Sequence, residues 1–194
     1  QVMHELTHRK VAWPYLATMI GLHTGARTGE IARLTWADID FDEQKIRFIT
    51  RKNKANKARY RLVSQEVMDA IEAFGTPGNA SDGIFGVTPK MITAHWSQKY
   101  LKPACEAAGI PSFAPYALRR LSIQLDARNG INMGHSAKRH GNSVAVIAAH
   151  YQQFNDEDER EAFKKTAHTR NRSVLSFETK RAVGDAPMVT TFSK

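Results

Sequence analysis

Only two stretches of the chain alternate in the manner of β-strands, 45–50 (Lys-Ile-Arg-Phe-Ile-Thr) and 58–63 (Ala-Arg-Tyr-Arg-Leu-Val). They lie close enough in sequence to pair as one antiparallel hairpin. The other apolar segments carry helical spacing between caps and breakers. The expected fold class is therefore mostly α with a small antiparallel β-sheet, an α+β arrangement. The hairpin connector, Arg51-Lys-Asn-Lys-Ala-Asn-Lys57, carries four positive charges. Such a turn is either a solvated loop that keeps a sheet edge from aggregating or a cationic finger set against a phosphate backbone.

The helices are marked by their ends. Residues 11–23 hold Trp13, Leu16, Met19, Ile20 and Leu22, and Gly25 stops them. Thr28 is placed to cap a second helix over 29–36, with Ile31 and Leu34 inward and Glu30 pairing Arg33 on the outer face. Arg27 then sits at a helix start, where a cation opposes the macrodipole unless it has an anion to hold. Ser64 caps a helix to Phe74. Thr88-Pro89 opens another that Pro103 kinks or splits and Gly109 ends. Pro115 opens a helix through Arg128, on which Arg119 and Arg120 fall three and four positions after Tyr116 and share its face. A short polar segment over 133–140 ends in Lys138-Arg139-His140. Gly141 turns the chain, and Ser143 caps a short helix with Val144, Ile147 and Ala148 on one face, delivering Tyr151 at its end. Asn155 or Asp156 caps a helix to about His168, and from Thr169 the chain reads as a basic, Ser/Thr-rich tail.

Charge narrows the partner. A net charge of +9, with eight further histidines, points to a polyanion. No transmembrane run, secretory signal or lipidation motif is visible, and the apolar stretch 11–22 is too short to span and contains Pro14. The single Cys105 excludes an internal disulfide and fits a reducing cytosol. It has no cysteine partners for a metal cluster and reads as a small buried residue.

The order Arg27, Lys54, Tyr116-x-x-Arg119, Gly141-Asn142, Tyr151 resembles the catalytic domain of tyrosine recombinases, the phage integrase family. Leu22-His-Thr-Gly-Ala-Arg27-Thr-Gly-Glu30 through Asp40 is similar to the family's first arginine box. Lys54 matches the turn lysine, with Lys52 the alternative. Arg119 matches the second arginine and Tyr151 the nucleophile. Asn142 lies nine positions before Tyr151, at the family's usual spacing for its second histidine or tryptophan. Tyr116 and Asn142 stand where histidines are usual. A subset of phage-type integrases looks similar at both places. Arg120 stands where a histidine is common. The resemblance covers roughly 11–165. It implies a catalytic domain over 1–168 and a C-terminal tail over 169–194. Because the chain opens on Gln1 rather than Met, an N-terminal DNA-binding domain is expected to lie outside it.

The implied chemistry suits these residue types. A phosphodiester is cut without losing its energy when the nucleophile is a side chain that stays attached. Tyr151 would form a phosphotyrosyl ester, with no metal or nucleotide cofactor. Arg27 and Arg119 would hold the nonbridging oxygens bidentately. Lys54 would protonate the departing 5′ oxygen. Tyr116 and Asn142 would donate neutral hydrogen bonds to the same phosphate. Glu30 would orient Arg27, and His140 is read as a supporting residue. Lys52, Lys57, Arg59, Arg120 and Arg139 would contact the DNA backbone. The resemblance further implies double-stranded DNA as partner, a tetramer on paired sites, no membrane association, and action in the bacterial cytoplasm or nucleoid, or in the host cell for a phage-encoded chain. Three other readings share many of these features: a hairpin telomere resolvase, a DNA-binding relative with a dead active site, and a type IB topoisomerase.

Overall fold

A computed structural model describes residues 1–7, 11–50, 57–75, 78–150, 160 and 164, apart from the side chains of Lys57 and His150. The chain divides into two compact units, Gln1–Gln152 and Gln153–Lys194. In the second, the described residues Arg160 and Lys164 are helical. In the first, the described elements are α1 Val2–Thr7, α2 Trp13–Thr24, α3 Thr28–Ile31, β1 Ile39–Asp40, β2 Lys45–Thr50, β3 Lys57–Leu62, α4 Gln65–Phe74, α5 Pro89–His95, α6 Lys102–Ala107, α7 Tyr116–Arg128, α8 Met133–His140 and α9 Val144–His150. The architecture is mostly helical with a three-stranded antiparallel sheet of order β1-β2-β3. No helix of the described residues is long and apolar enough to cross a membrane.

Most of the core among the described residues is a single apolar cluster. Trp13, Leu16 and Ile20 of α2 meet Val67, Met68 and Ile71 of α4, Ile46 and Phe48 of β2, and Trp96. Trp96 donates its indole N–H to Thr18 Oγ1 at 3.1 Å, so the large ring is buried without an orphaned donor. Ile123 of α7, Ala137 of α8 and Ile147 of α9 form a second, small cluster. Helices α7 and α8 also bury polar side chains: Arg119, Ser122, Asp126, Ser136 and His140. Helix α7 carries both kinds of contact, with Leu118 in the large cluster and Ile123 in the small one.

Several local expectations change. The helix expected over 29–36 is one turn, α3, followed by a 3₁₀ turn at Trp36–Asp38. Its N-cap is Arg27 rather than Thr28. Glu30 reaches back to the Arg27 backbone N–H and is buried, so it does not pair Arg33 on an outer face. Pro103 falls where the helical stretch divides, as expected. The chain passes from α5 through a π-helical segment, Trp96–Leu101, into α6, which carries the proline at its start. The wider turn absorbs the mismatch created by a residue that has no N–H and a bulky ring. Arg119 and Arg120 part company: Arg119 is buried and Arg120 exposed. In α9 only Ile147 of the expected apolar face is buried, while Val144 and Ala148 are exposed. Cys105 is buried, as expected.

Candidate active site

The site begins at the end of α2. Gly25 takes φ 60, a conformation that closes the helix and exposes its carbonyl. The chain then extends to Arg27, whose guanidinium is fixed by Glu30. Arg27 Nη1 donates to Glu30 Oε1 at 3.1 Å, and its backbone N–H donates to Oε2 at 2.8 Å. Glu30 also accepts from Thr50 Oγ1 at 2.7 Å and from Arg59 Nη2. Burial alone would raise the Glu30 carboxyl. Arg59, the Thr50 hydroxyl and Arg27 outweigh it and hold the group below its ordinary value.

Arg59 enters from β3, where it stands opposite Phe48, with its guanidinium carbon 5.2 Å from that ring's centre. Its Nε and Nη1 are buried without partners. Burial, despite the Glu30 charge, brings its pKa down to about 10, with Arg119 and Arg27 adding repulsion. It remains charged at neutral pH.

Arg119 comes up from α7, 1% exposed. Its Nη1 donates to Gly25 O at 2.7 Å and its Nη2 to His140 O. Nη2 also donates to Asn142 Oδ1 at 3.0 Å. The same Asn142 oxygen accepts from Arg27 Nη2 at 3.2 Å, and Arg27 Nη2 reaches Gly141 O at 3.0 Å. Asn142 is presented by Gly141, at φ 63, a left-handed turn that a side chain would strain. Two guanidinium groups from distant parts of the chain thus converge on one oxygen. The Asn142 amide nitrogen is buried and without a partner.

Behind this group, His140 is fully buried. Its Nε2 lies 3.1 Å from Asp126 Oδ2, and Arg139 Nη1 donates to Asp126 Oδ1 at 2.8 Å. Burial lowers the His140 pKa, with Arg61 and Arg119 adding to that effect against the Asp126 carboxylate. Burial would raise Asp126, but His140 and Arg139 keep it below its ordinary value. Arg61 is 2% exposed, and none of its three guanidinium nitrogens has a partner. Burial first, then Arg139, brings its pKa to about 10, against a favourable Asp126 charge.

Of the residues singled out in the sequence, Arg27, Glu30, Arg59, Arg119, His140 and Asn142 come together. Arg139 is placed beside them by its ion pair with Asp126. Tyr116 opens α7 and is half-exposed, and Arg120 points to solvent. Lys52, Lys54 and Tyr151 lie outside the described residues, as does the side chain of Lys57. Arg61 and Asp126 have no counterpart in the sequence reading. The pairing register carries the missing signal for Arg61: it faces Ile46, as Arg59 faces Phe48, so both arginines share the buried face of the sheet.

Besides Arg59 and Arg61, three groups here whose ordinary values lie below neutrality bind fewer protons folded than unfolded. Glu30, Asp126 and His140 all have folded pKa values below their ordinary 4.5, 3.8 and 6.5. Their stabilisation is complete above those values and is lost as pH falls through the folded ones. The thermal midpoint, followed by circular dichroism, should hold near neutrality, begin to fall below the ordinary histidine value, and fall further in the carboxylate range. A midpoint that rises on mild acidification would mean that His140 is not buried as a neutral ring.

Residues 1–158 match the family described as the phage integrase family. No curated protein matches the chain. Among solved structures, XerA recombinase is similar at 21% identity and TM-score 0.67, over 85% of this chain and 61% of that one. The Tn1549 transposon integrase, in complex with transposon right end DNA, is similar at 18% identity and TM-score 0.65, over 86% and 63%. The catalytic domain of bacteriophage HP1 integrase is similar at 20% identity and TM-score 0.58, over 82% and 88%. The chain therefore spans under two thirds of the first two, and at these identities the likeness is one of fold.

Proposed function

The chain belongs to the phage integrase family, and from that premise we propose that it recombines DNA at specific sites, cutting and rejoining the duplex through a 3′-phosphotyrosyl intermediate on Tyr151. The observation that carries this reading is the shared oxygen. Arg27 Nη2 and Arg119 Nη2 both donate to Asn142 Oδ1. That carboxamide oxygen marks a position between two fixed cations that suits a nonbridging phosphate oxygen. Rotation of the Asn142 side chain would vacate it and turn the unpartnered amide N–H₂ toward the same anion.

The Tyr151 hydroxyl gives its proton to solvent as its oxygen bonds to phosphorus, and the bond to the 5′ oxygen breaks. Charge builds on the nonbridging oxygens and is met by Arg27 and Arg119, while Lys54 supplies a proton to the leaving oxygen. Reversal by a hydroxyl from another strand is nearly isoenergetic, so the ester conserves the bond energy. Exchange between paired sites calls for a tetramer, and the net charge of +9 suits the DNA backbone. Integration or excision of a mobile element is the setting in which such exchange is used.

The direct test is a nicked substrate whose cleaved end diffuses away, trapping the covalent complex for denaturing gels. An adduct mapping to Tyr151 is expected. Tight binding with no adduct would instead identify an inactive relative, and hairpin products would identify a telomere resolvase. The turn lysine has its own test. Sulfur in place of the bridging 5′ oxygen leaves without a proton, so Lys54→Ala should be slow on normal DNA and much faster on the sulfur-substituted strand. Lys52→Ala should show no such rescue. The reverse pattern would move the acid to Lys52.

A further inference from the structure

We propose that Asp126 is a positioning residue for the two phosphate-binding arginines, acting through His140 on the carbonyl clamp of Arg119 and on the turn that carries Asn142. The inference rests on the reading of Arg27, Arg119 and Asn142 given above. Asp126 lies on the buried side of α7, two turns after Arg119, and is 6% exposed. Its two carboxylate oxygens take donors from the last turn of α8: Arg139 Nη1 at 2.8 Å and His140 Nε2 at 3.1 Å. One side chain therefore ties α7 to the end of α8.

His140 is where three parts of the site meet. Its own carbonyl accepts from Arg119 Nη2. Gly141 follows directly and turns the chain to Asn142. Its ring packs against Gly25 so closely that a Cβ there would fall 2.5 Å from Cε1 and 2.7 Å from Nδ1. Gly25 supplies the other carbonyl of the Arg119 clamp, at 2.7 Å. A ring that rotated or withdrew would shift both carbonyls, and with them the arginine fork.

The carboxylate also selects the form of the ring. An ionised Asp126 requires a proton on His140 Nε2, which leaves Nδ1 as a buried lone pair with no partner. The opposite tautomer would aim a lone pair at the carboxylate. The charge matters beyond the hydrogen bond, because Asp126 is a buried anion beside Arg61, whose guanidinium has no hydrogen-bond partner. An asparagine keeps the shape and loses both the charge and the tautomer preference.

The experiment is single-turnover cleavage of the nicked substrate by the full chain, with duplex affinity and thermal midpoint measured alongside. Asp126→Asn should cleave about 100-fold more slowly, the cost of a misplacement of about 1 Å, with duplex affinity essentially unchanged. In a His140→Gln background the same substitution should add little to the loss of rate, because that effect passes through the ring, whereas the charge opposite Arg61 bears on the midpoint. A purely structural ion pair would lower the midpoint and leave the rate of the folded fraction untouched, which would overturn the proposal. If Asp126→Asn fails to fold, Asp126→Asn/Arg61→Met removes the opposed charge and carries the same rate test. Nitrogen chemical shifts of wild-type His140 should report the Nε2–H form, and an Nδ1–H ring would refute the mechanism without any variant. A wild type that forms no adduct would sink the proposed function; a wild type that forms one, beside an Asp126→Asn variant that cleaves at full rate, would sink only this inference.

Discussion

Tyr151→Phe is expected to form no covalent complex with DNA while binding the duplex as the wild type does. Removing a nucleophile outright lowers turnover by about six orders of magnitude in a well-studied hydrolase, which here means loss of detectable adduct. Ground-state affinity has a different origin. It comes from cations set against phosphates, and this chain carries a net charge of +9. The phenyl ring keeps the bulk of the side chain, so the substitution separates the two contributions. The measurement is a denaturing gel beside a native shift assay on the same nicked duplex. An adduct that persists in Tyr151→Phe would move the nucleophile to another tyrosine. Tyr116 is the first to examine, because it is half-exposed and lies three residues before Arg119 on the same helix. Loss of binding and cleavage together would instead make Tyr151 a packing residue.

The sequence made some parts of this site legible and hid others for identifiable reasons. Caps and breakers are local, so α2 with its Gly25 stop, α4 behind Ser64, α5 behind Thr88-Pro89 and α7 behind Pro115 are readable from composition alone. The hairpin is readable because alternation is also local. Orientation within β3 is not. Its apolar residues Tyr60 and Leu62 are 63% and 69% exposed, while Arg59 and Arg61 turn inward. Hydropathy predicts the opposite face. Burial of these arginines is made tolerable by Glu30 from α3 and Asp126 from α7, and such long-range compensation leaves no mark on the strand itself. Glu30 shows the same effect. Its spacing to Arg33 looks like an exposed helical pair, but the helix is one turn long, so the carboxylate is free to turn back on Arg27. Asp126 was hidden because its partners, Arg139 and His140, lie beyond the turn that separates α7 from α8.

Arg27→Ala and Arg119→Ala should each slow cleavage by about two to three orders of magnitude, the usual cost of losing an oxyanion donor. They should differ in stability. The Arg27 side chain is 31% exposed, and its loss leaves Glu30 still paired with Arg59. A small change in thermal midpoint is expected. Arg119 is 1% exposed and donates to Gly25 O, His140 O and Asn142 Oδ1 among its partners. Truncating it strands them in the interior, at about 1–3 kcal/mol for each one that water does not reach. Its midpoint should fall well below that of Arg27→Ala. Lysine separates charge from geometry at both positions. A single ammonium on a flexible stem cannot reproduce a planar fork held by two carbonyls and an amide, so Arg119→Lys should recover little activity. Arg27→Lys retains charge where solvent can complete the ammonium's shell, and should recover more of the stability than of the rate. If Arg119→Lys cleaves at the wild-type rate, the fork is not what holds the phosphate, and the convergence of the two arginines on Asn142 would be a packing arrangement. If Arg119→Ala melts with the wild type but cleaves slowly, its guanidinium acts on the substrate without bracing the turns around it.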